Sequence, residues 1–278
     1  ISFIESEIES ITSFGEEDTL TVKAVIFDIP GNNTEGSASL NRLVIDQTPP
    51  VVVNSHYESN YSDSTLATIG HIITVTFETD EVIAAPSISI AGGTGDITGI
   101  GDFNWSGTYT MQESDEEGVI PFSVDSLLDA RGNPEDGFDT PTDESEVVFD
   151  KTQPTLNPVT VISNNPDPEW AKVGDTITVS FTGEEELMTA AGTIITQIAA
   201  VIDLGGENYT AKYEMTETDP EGEIAFEIIV TDLVGLNSDP VSETTDESSV
   251  IFDRTLPQLD YVHIESSNIN NTSIGISG

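Results

Sequence analysis

The feature that most constrains the fold is a segment that occurs three times at nearly constant spacing. Each copy is a short β-branched or aromatic run followed by Asp-x-Thr-x-Pro, at 43–50, 147–154 and 250–257. The first and second Asp are 104 residues apart, and the second and third 103. The run predicts a strand, and the proline prevents that strand from simply continuing. The repeat therefore predicts tandem domains of about one hundred residues joined by short linkers.

The three linkers divide the chain into four segments. We predict two complete domains, flanked by the C-terminal part of one domain and the start of another, at 47–150, 151–253, 1–46 and 254–278. In the first segment, apolar residues at 20, 22, 24 and 26 alternate with others and predict one half-buried strand. Because a few strands do not make a stable sandwich, we expect the polypeptide to continue on both sides. An alternative is that the two partial ends pair between neighbouring molecules by strand addition.

The two complete segments match each other almost position by position, and neither contains a long stretch of helical period. Three apolar pairs share an offset of 104 residues: Phe77 with Phe181, Met111 with Met215, and Phe122 with Phe226. Each segment carries about seven short alternating runs separated by turn residues, as in immunoglobulin-like sandwiches. The predicted fold is all-β, with tandem immunoglobulin-like β-sandwich domains in an extended array.

The charge of the chain excludes several classes of function. The sequence has 51 acidic and 7 basic residues, a formal charge of −44 and no cysteine. Nucleic acids and anionic membrane surfaces require a basic patch, so neither is an expected partner. Disulfides and thiolate metal sites are impossible without cysteine. No apolar run is long enough to span a bilayer, so we expect no direct membrane insertion in this segment. Cations are the expected counterparts of such a surface.

Several segments carry a family resemblance. Residues 173–181, 231–235 and 252–257 read Val-Gly-Asp-Thr-Ile-Thr-Val-Ser-Phe, Thr-Asp-Leu-Val-Gly and Phe-Asp-Arg-Thr-Leu-Pro. They resemble the tandem bacterial-type immunoglobulin-like repeats of giant surface proteins, in prokaryotic adhesins and archaeal S-layer proteins. Residues 163–165 and 171–175 are similar to surface-layer proteins of ammonia-oxidising marine archaea.

The resemblance implies an extracellular role at the cell surface. It implies a structural component of a surface layer or polymer, with other copies of the chain as partners in a lattice or filament. The alternative is the stalk region of a giant cell-surface adhesin. An enzyme is not expected, because the acidic pairs that could serve a glycosidase lie on repeated loops and no repeated Ser-His-Asp set occurs.

Acidic residues recur at the predicted joints between domains. In an immunoglobulin-like sandwich, the outgoing linker and the loop between the fifth and sixth strands meet two loops of the next domain. Converging carboxylates repel one another without a cation, and Ca²⁺ takes six to eight oxygen ligands. The layout is similar to that of cadherins, which hold calcium between domains. The candidate calcium ligands are Asp46, Asp150 and Asp253 in the linkers, and Asp80, Glu81, Glu113, Asp115, Glu117, Asp129, Glu184, Glu185, Glu217, Asp219, Glu221 and Asp232 in the loops. The alternative is that these are solvated acidic turns.

Six Asn-x-Ser/Thr acceptors for N-glycosylation also occur. They are Asn32, Asn60, Asn104, Asn208, Asn270 and Asn271. Asn104 and Asn208 occupy the same position in the two repeats, which is compatible with a glycoprotein surface. The alternative is chance in a chain rich in Asn, Ser and Thr.

Overall fold

A computed structural model of the chain describes residues 19–21, 23–38, 40 and 43–264. The described residues contain strands and turns but no helix, which confirms the all-β prediction. The chain divides into two compact units, unit 1 (Ile1–Lys151) and unit 2 (Thr152–Gly278). Within the described residues, no segment has the length and apolar character of a membrane-spanning helix. Most of the predicted partial domain at 254–278 lies outside these residues.

The start of unit 1 contains two separate strand pairs. The four short strands are β1 (Thr19–Leu20), β2 (Val25–Phe27), β3 (Asn33–Glu35) and β4 (Leu43–Val44). β1 pairs with β4, and β2 forms a hairpin with β3. The prediction of one half-buried strand is therefore wrong here. The two strands β1 and β2 have different partners, and the β2 side chains are exposed rather than half-buried.

The first complete domain follows within unit 1. Its strands are β5 (Val52–Ser59), β6 (Leu66–Ala67), β7 (Ile72–Thr79), β8 (Ser87–Ile90), β9 (Gly93–Thr94), β10 (Asp96–Gly99), β11 (Asn104–Thr110), β12 (Gly118–Val119), β13 (Phe122–Asp125), β14 (Leu127–Leu128), β15 (Pro134–Glu135) and β16 (Val148–Phe149). One antiparallel sheet has the order β10-β11-β7-β5, and β8 pairs with β13 and β9 in another. Taking β5, β7, β8, β10, β11 and β13 as strands A to F, the first sheet is ordered A-B-E-D and strand C pairs with F. That order is the immunoglobulin topology.

The core of this domain lies between the two sheets. Along β7, Ile73, Val75 and Phe77 are buried while the intervening threonines are half-buried, the period of two that a strand requires. Ile88 and Ile90 of the facing β8 are buried against the same core. Each such side chain contributes about 1.5–3 kcal/mol relative to an exposed one.

Unit 2 repeats this architecture. Its strands are β17 (Leu156–Ser163), β18 (Trp170–Ala171), β19 (Thr176–Gly183), β20 (Leu187–Ile194), β21 (Gln197–Ile198), β22 (Ala200–Gly205), β23 (Asn208–Glu214), β24 (Gly222–Glu223), β25 (Phe226–Asp232) and β26 (Ile251–Phe252). The sheet β17-β19-β23-β22 is again ordered A-B-E-D, and β20 pairs with β25 and β21.

The repeat extends to single backbone positions. Gly70 and Gly174 have φ values of 86° and 87°, a region that favours glycine. Each donates its amide to the carbonyl of a buried methionine, Met111 or Met215, at 2.9 and 2.8 Å. The predicted correspondence of the two segments is thus present in the turns as well as in the core.

A second recurring segment covers the edge of each domain. Residues 142–145 and 245–248, called here the edge straps, both read Thr-Asp-Glu-Ser. Thr142 exchanges hydrogen bonds with Ser55 of the edge strand β5, and Ser145 accepts the amide of Tyr57 at 3.0 Å. In unit 2, Thr245 and Ser248 bind β17 in the same way. The straps therefore occupy backbone groups that an uncovered edge strand would present to other chains.

Replacing a core phenylalanine tests the packing of unit 2. Phe181→Ala is expected to destabilise that unit by about 3–5 kcal/mol, because it leaves a cavity between the sheets. The matched control is Ile202→Ala on β22, where the side chain is partly exposed and the cost is about 1 kcal/mol or less. Urea unfolding followed by tryptophan fluorescence measures both. Equal losses for the two variants would contradict the core assignment.

Candidate metal centre

The loop at residues 129–133 holds a buried carboxylate by backbone amides. One oxygen of Asp129 accepts the amides of Arg131, Gly132 and Asn133 at 2.8, 2.6 and 2.8 Å. Gly132 has a φ of 93°, which the tight loop requires. Burial alone would raise the pKa of Asp129, but these hydrogen bonds and the one from the Asn133 side chain lower it. Asp129 is therefore held as an anion although it is only 4% exposed.

Two further carboxylates join Asp129 to form what we call the first carboxylate cluster. One carboxylate oxygen each from Asp46, Glu81 and Asp129 lie within 4.8 Å of one another. Asp46 is positioned by its backbone carbonyl, which accepts the Asn133 side-chain amide at 3.1 Å. Its own carboxylate binds the Arg131 guanidinium at 2.6 Å. The structure thus brings together three of the predicted ligands.

Negative charge remains in excess in this cluster. The pKa of Glu81 is raised, first by burial and then by repulsion from Asp129, Asp46 and Asp80, although Arg131 opposes the shift. A hard cation with oxygen ligands is suited to three such carboxylates, since it offsets both the burial and the repulsion. The residues present fit a calcium ion.

Unit 2 has the equivalent loop at residues 232–236. One oxygen of Asp232 accepts the amides of Val234 and Leu236 at 2.9 and 2.8 Å. The other oxygen is buried and has no hydrogen-bond partner among the described residues. A carboxylate oxygen of Glu185 lies within 4.8 Å of one of Asp232. Leaving a buried acceptor unsatisfied costs about 1–3 kcal/mol or more, so a cation bound to this oxygen would stabilise the site.

The predicted ligands of the loops 113–117 and 217–221 lie beside basic residues. The Lys151 ammonium donates to the carbonyls of Glu113 and Asp115 at 2.7 and 2.8 Å, and its amide donates to Glu117. In unit 2, Arg254 contacts the carbonyl of Glu217 and the carboxylate of Glu221. In both loops a side-chain cation lies beside residues that the sequence predicts as calcium ligands.

Asp115 and Asp219 in these loops are buried, and each connects its loop to a tyrosine of the preceding strand by hydrogen bonds. Asp115 accepts the Gln112 amide at 2.7 Å and the Tyr109 hydroxyl at 3.1 Å. Asp219 accepts equivalent bonds from Thr216 and Tyr213. Whether either loop also binds a metal stays a prediction.

The remaining predicted ligands form hydrogen bonds next to the linkers. Asp80 accepts the Val51 amide at 2.7 Å, and Glu184 accepts the Thr155 hydroxyl, so each holds the first strand of its own domain. The amides of the half-buried Asp150 and the exposed Asp253 donate to the carbonyls of Ala67 and Ala171 at 2.9 Å.

Four of the six predicted glycosylation acceptors lie in the described residues, and all four are exposed. Asn104 and Asn208 begin the equivalent strands β11 and β23. The Asn208 side-chain amide donates to the carbonyl of Gly206 at 2.7 Å, and that of Asn32 to Asp28 at 2.8 Å. Asn270 and Asn271 lie outside the described residues, and glycosylation stays a prediction.

Sequence analysis missed a third copy of the acidic loop and the role of one arginine. Asp28 accepts the amide and the side chain of Asn32 at 2.8 Å, as Asp129 does with Asn133. The pattern Asp-x-x-Gly-Asn at 28–32 and 129–133 could have revealed the copy. Pairing of Arg131 with Asp46 has no such signal, because the two are 85 residues apart.

Fold and loops together define an acidic, multi-domain protein of immunoglobulin-like β-sandwiches. No family model matches the chain, and no curated protein matches it. Solved structures similar to it include the fibronectin(III)-like modules of Clostridium thermocellum CbhA (12% identity, 75% of this chain and 100% of that chain, TM-score 0.31). A second is DIP-gamma IG1+IG2, with 10% identity over 76% of this chain and 100% of that chain and a TM-score of 0.32. A third is a Bacteroides ovatus SGBP-B in complex with a mixed-linkage heptasaccharide, with 16% identity over 93% of this chain and 59% of that chain and a TM-score of 0.21. These TM-scores support no statement on function, and the fold assignment rests on the strand pairing.

Removing the charge of Glu81 tests the electrostatics of the first carboxylate cluster. A pKa raised in the folded state means a stabilising contribution at low pH that is lost as pH rises through that pKa. With divalent cations chelated, Glu81→Gln is therefore expected to raise the melting temperature at pH 7 and to leave it unchanged below about pH 4. Thermal unfolding at both pH values measures this. The exposed Asp96→Asn serves as control, and a loss of stability at pH 7 would contradict the repulsion.

Proposed function

We propose that the chain is a structural segment of an extracellular surface layer or polymer, in which Ca²⁺ binds the acidic loops at the domain ends. The observation that carries the proposal is the convergence of Asp46, Glu81 and Asp129 within 4.8 Å in a partly buried site. Asp46 belongs to the linker and the other two to loops of the domain that follows. A cation bound by all three would hold the linker against that domain.

The three positions recur along the sequence at the period of the domain. Asp150, Glu185 and Asp232 follow Asp46, Glu81 and Asp129 by 104, 104 and 103 residues. A structural array needs the same joint at each repeat, whereas an enzyme needs its site once. Recurrence of the ligand set at the period of the domain therefore favours architecture over catalysis.

The surface charge supports an additional role toward small ions. With 51 acidic and 7 basic residues, the chain attracts cations and repels anions. This field extends over a Debye length of about 8 Å at physiological ionic strength. A coat assembled from such chains would concentrate cations around the cell.

Chelation tests the calcium proposal. Removing Ca²⁺ with EDTA is expected to lower the melting temperature by about 5 °C or more, because a ligand at a hundred times its Kd contributes about 2.7 kcal/mol. The double variant Glu81→Gln, Glu185→Gln is expected to lose this response. A matched double variant at exposed positions, Asp96→Asn with Glu227→Gln, should keep it. Identical melting of the unaltered chain with and without EDTA would exclude calcium stabilisation.

Imaging of native envelopes tests the surface-layer proposal. Antibody against unit 2, used with electron tomography of native cell envelopes, is expected to label a periodic coat, because a lattice repeats its lateral contacts. Labelled fibres that project singly from the cell, without lateral order, would instead support an adhesin stalk.

A further inference from the structure

The two acidic loops have the same backbone but different side chains. Both begin with a buried Asp whose oxygen accepts amides of its own loop, and their glycines, Gly132 and Gly235, have φ values of 93° and 87°. Relative to the buried Asp, the third residue is Arg131 in one loop and Val234 in the other. The fifth is Asn133 in one and Leu236 in the other, so unit 2 lacks both polar side chains of the first loop.

In unit 1 these two side chains satisfy the carboxylates. The Asn133 amide donates to the second oxygen of Asp129 at 2.8 Å. The Arg131 guanidinium binds Asp46 at 2.6 Å and adds one positive charge to the first carboxylate cluster. Arg131 is thus a tethered cation bound to one of the three candidate ligands.

In unit 2 the residues at the same two loop positions, Val234 and Leu236, have no polar side chain. Leucine at 236 cannot donate a side-chain hydrogen bond. The second oxygen of Asp232, a residue that is only 1% exposed, has no hydrogen-bond partner among the described residues. Two basic side chains of this unit are bound to other carboxylates. Lys172 binds Asp175, Arg254 binds Glu221, and Lys212 lies within β23.

We infer that the two loops bind calcium with unequal affinity, the loop of Asp232 and Glu185 being the tighter site and that of Asp129 the weaker one. The unpartnered oxygen of Asp232 is available to a metal without breaking a hydrogen bond. At the first carboxylate cluster, an incoming Ca²⁺ meets the positive charge of Arg131 and a carboxylate already occupied by Asn133. Ligand charge count tunes calcium affinity over several orders of magnitude, which makes one added positive charge a large effect. This inference rests on the proposed function.

Exchange of the two loop side chains tests the inference. Calcium is titrated into the full chain by calorimetry after chelator removal, and two classes of site are expected. Leu236→Asn should weaken the tighter class about tenfold, since the new amide can donate to Asp232. The reciprocal variant Arg131→Val, Asn133→Leu should strengthen the weaker class about tenfold. Asp232→Asn should remove the tighter class, Asp129→Asn the weaker one, and Asp96→Asn neither. Circular dichroism of each variant verifies the fold.

The outcomes separate this inference from the proposed function. One class of equal sites that neither exchange variant alters would overturn the inference and leave calcium binding intact. Persistence of the tighter class in Asp232→Asn would also overturn it. Absence of any calcium binding to the unaltered chain would overturn both.

Discussion

The constraint on which the rest of the structure depends is the folding of a β-sandwich in a chain that has 51 acidic and only 7 basic side chains. A buried carboxylate needs compensation. In this chain backbone amides supply much of it, and Lys172 adds an ion pair to Asp175. The buried charged residues of the described chain are all aspartates, Asp115, Asp129, Asp175, Asp219 and Asp232. Each accepts at least one amide of its own loop.

Hydrogen bonds from backbone amides to buried aspartates also fix the loops at the ends of the domains. An aspartate that accepts several amides of its own loop holds that loop in one conformation, because both the carboxylate and the amides are then hydrogen-bonded. Three of the basic side chains lie beside acidic loops. Arg131 binds Asp46, and Lys151 and Arg254 each follow a linker aspartate and bind an acidic loop. At the second oxygen of Asp232, neither an amide nor a basic side chain provides a hydrogen bond among the described residues.

Uncharged polar side chains also satisfy the backbone groups at the edges of the sheets. Strand β5 is the edge of its sheet, and the edge strap at 142–145 pairs with it through threonine and serine hydroxyls. Asp143 in this strap has its pKa lowered to about 2 by hydrogen bonds from Ser145 and by contact with His56. Small polar side chains thereby cover backbone groups that would otherwise promote edge-to-edge association. The recurrence of Thr-Asp-Glu-Ser is visible in the sequence, but its role depends on β5, some 87 residues away.

The sequence by itself determined the all-β class, the repeat of about one hundred residues and the core positions, because strand period and turn residues are local properties and the second repeat checks the first. It also identified the acidic segments that meet at Asp46, Glu81 and Asp129. Only the tertiary structure decided which carboxylates share a site, that Lys151 and Arg254 bind the loops at 113–117 and 217–221, and that one oxygen of Asp232 is left without a partner in the described chain. Those outcomes depend on contacts between distant segments. A difference at one loop position, Arg131 in the first repeat and Val234 in the second, alters the charge balance of the loop without altering the fold.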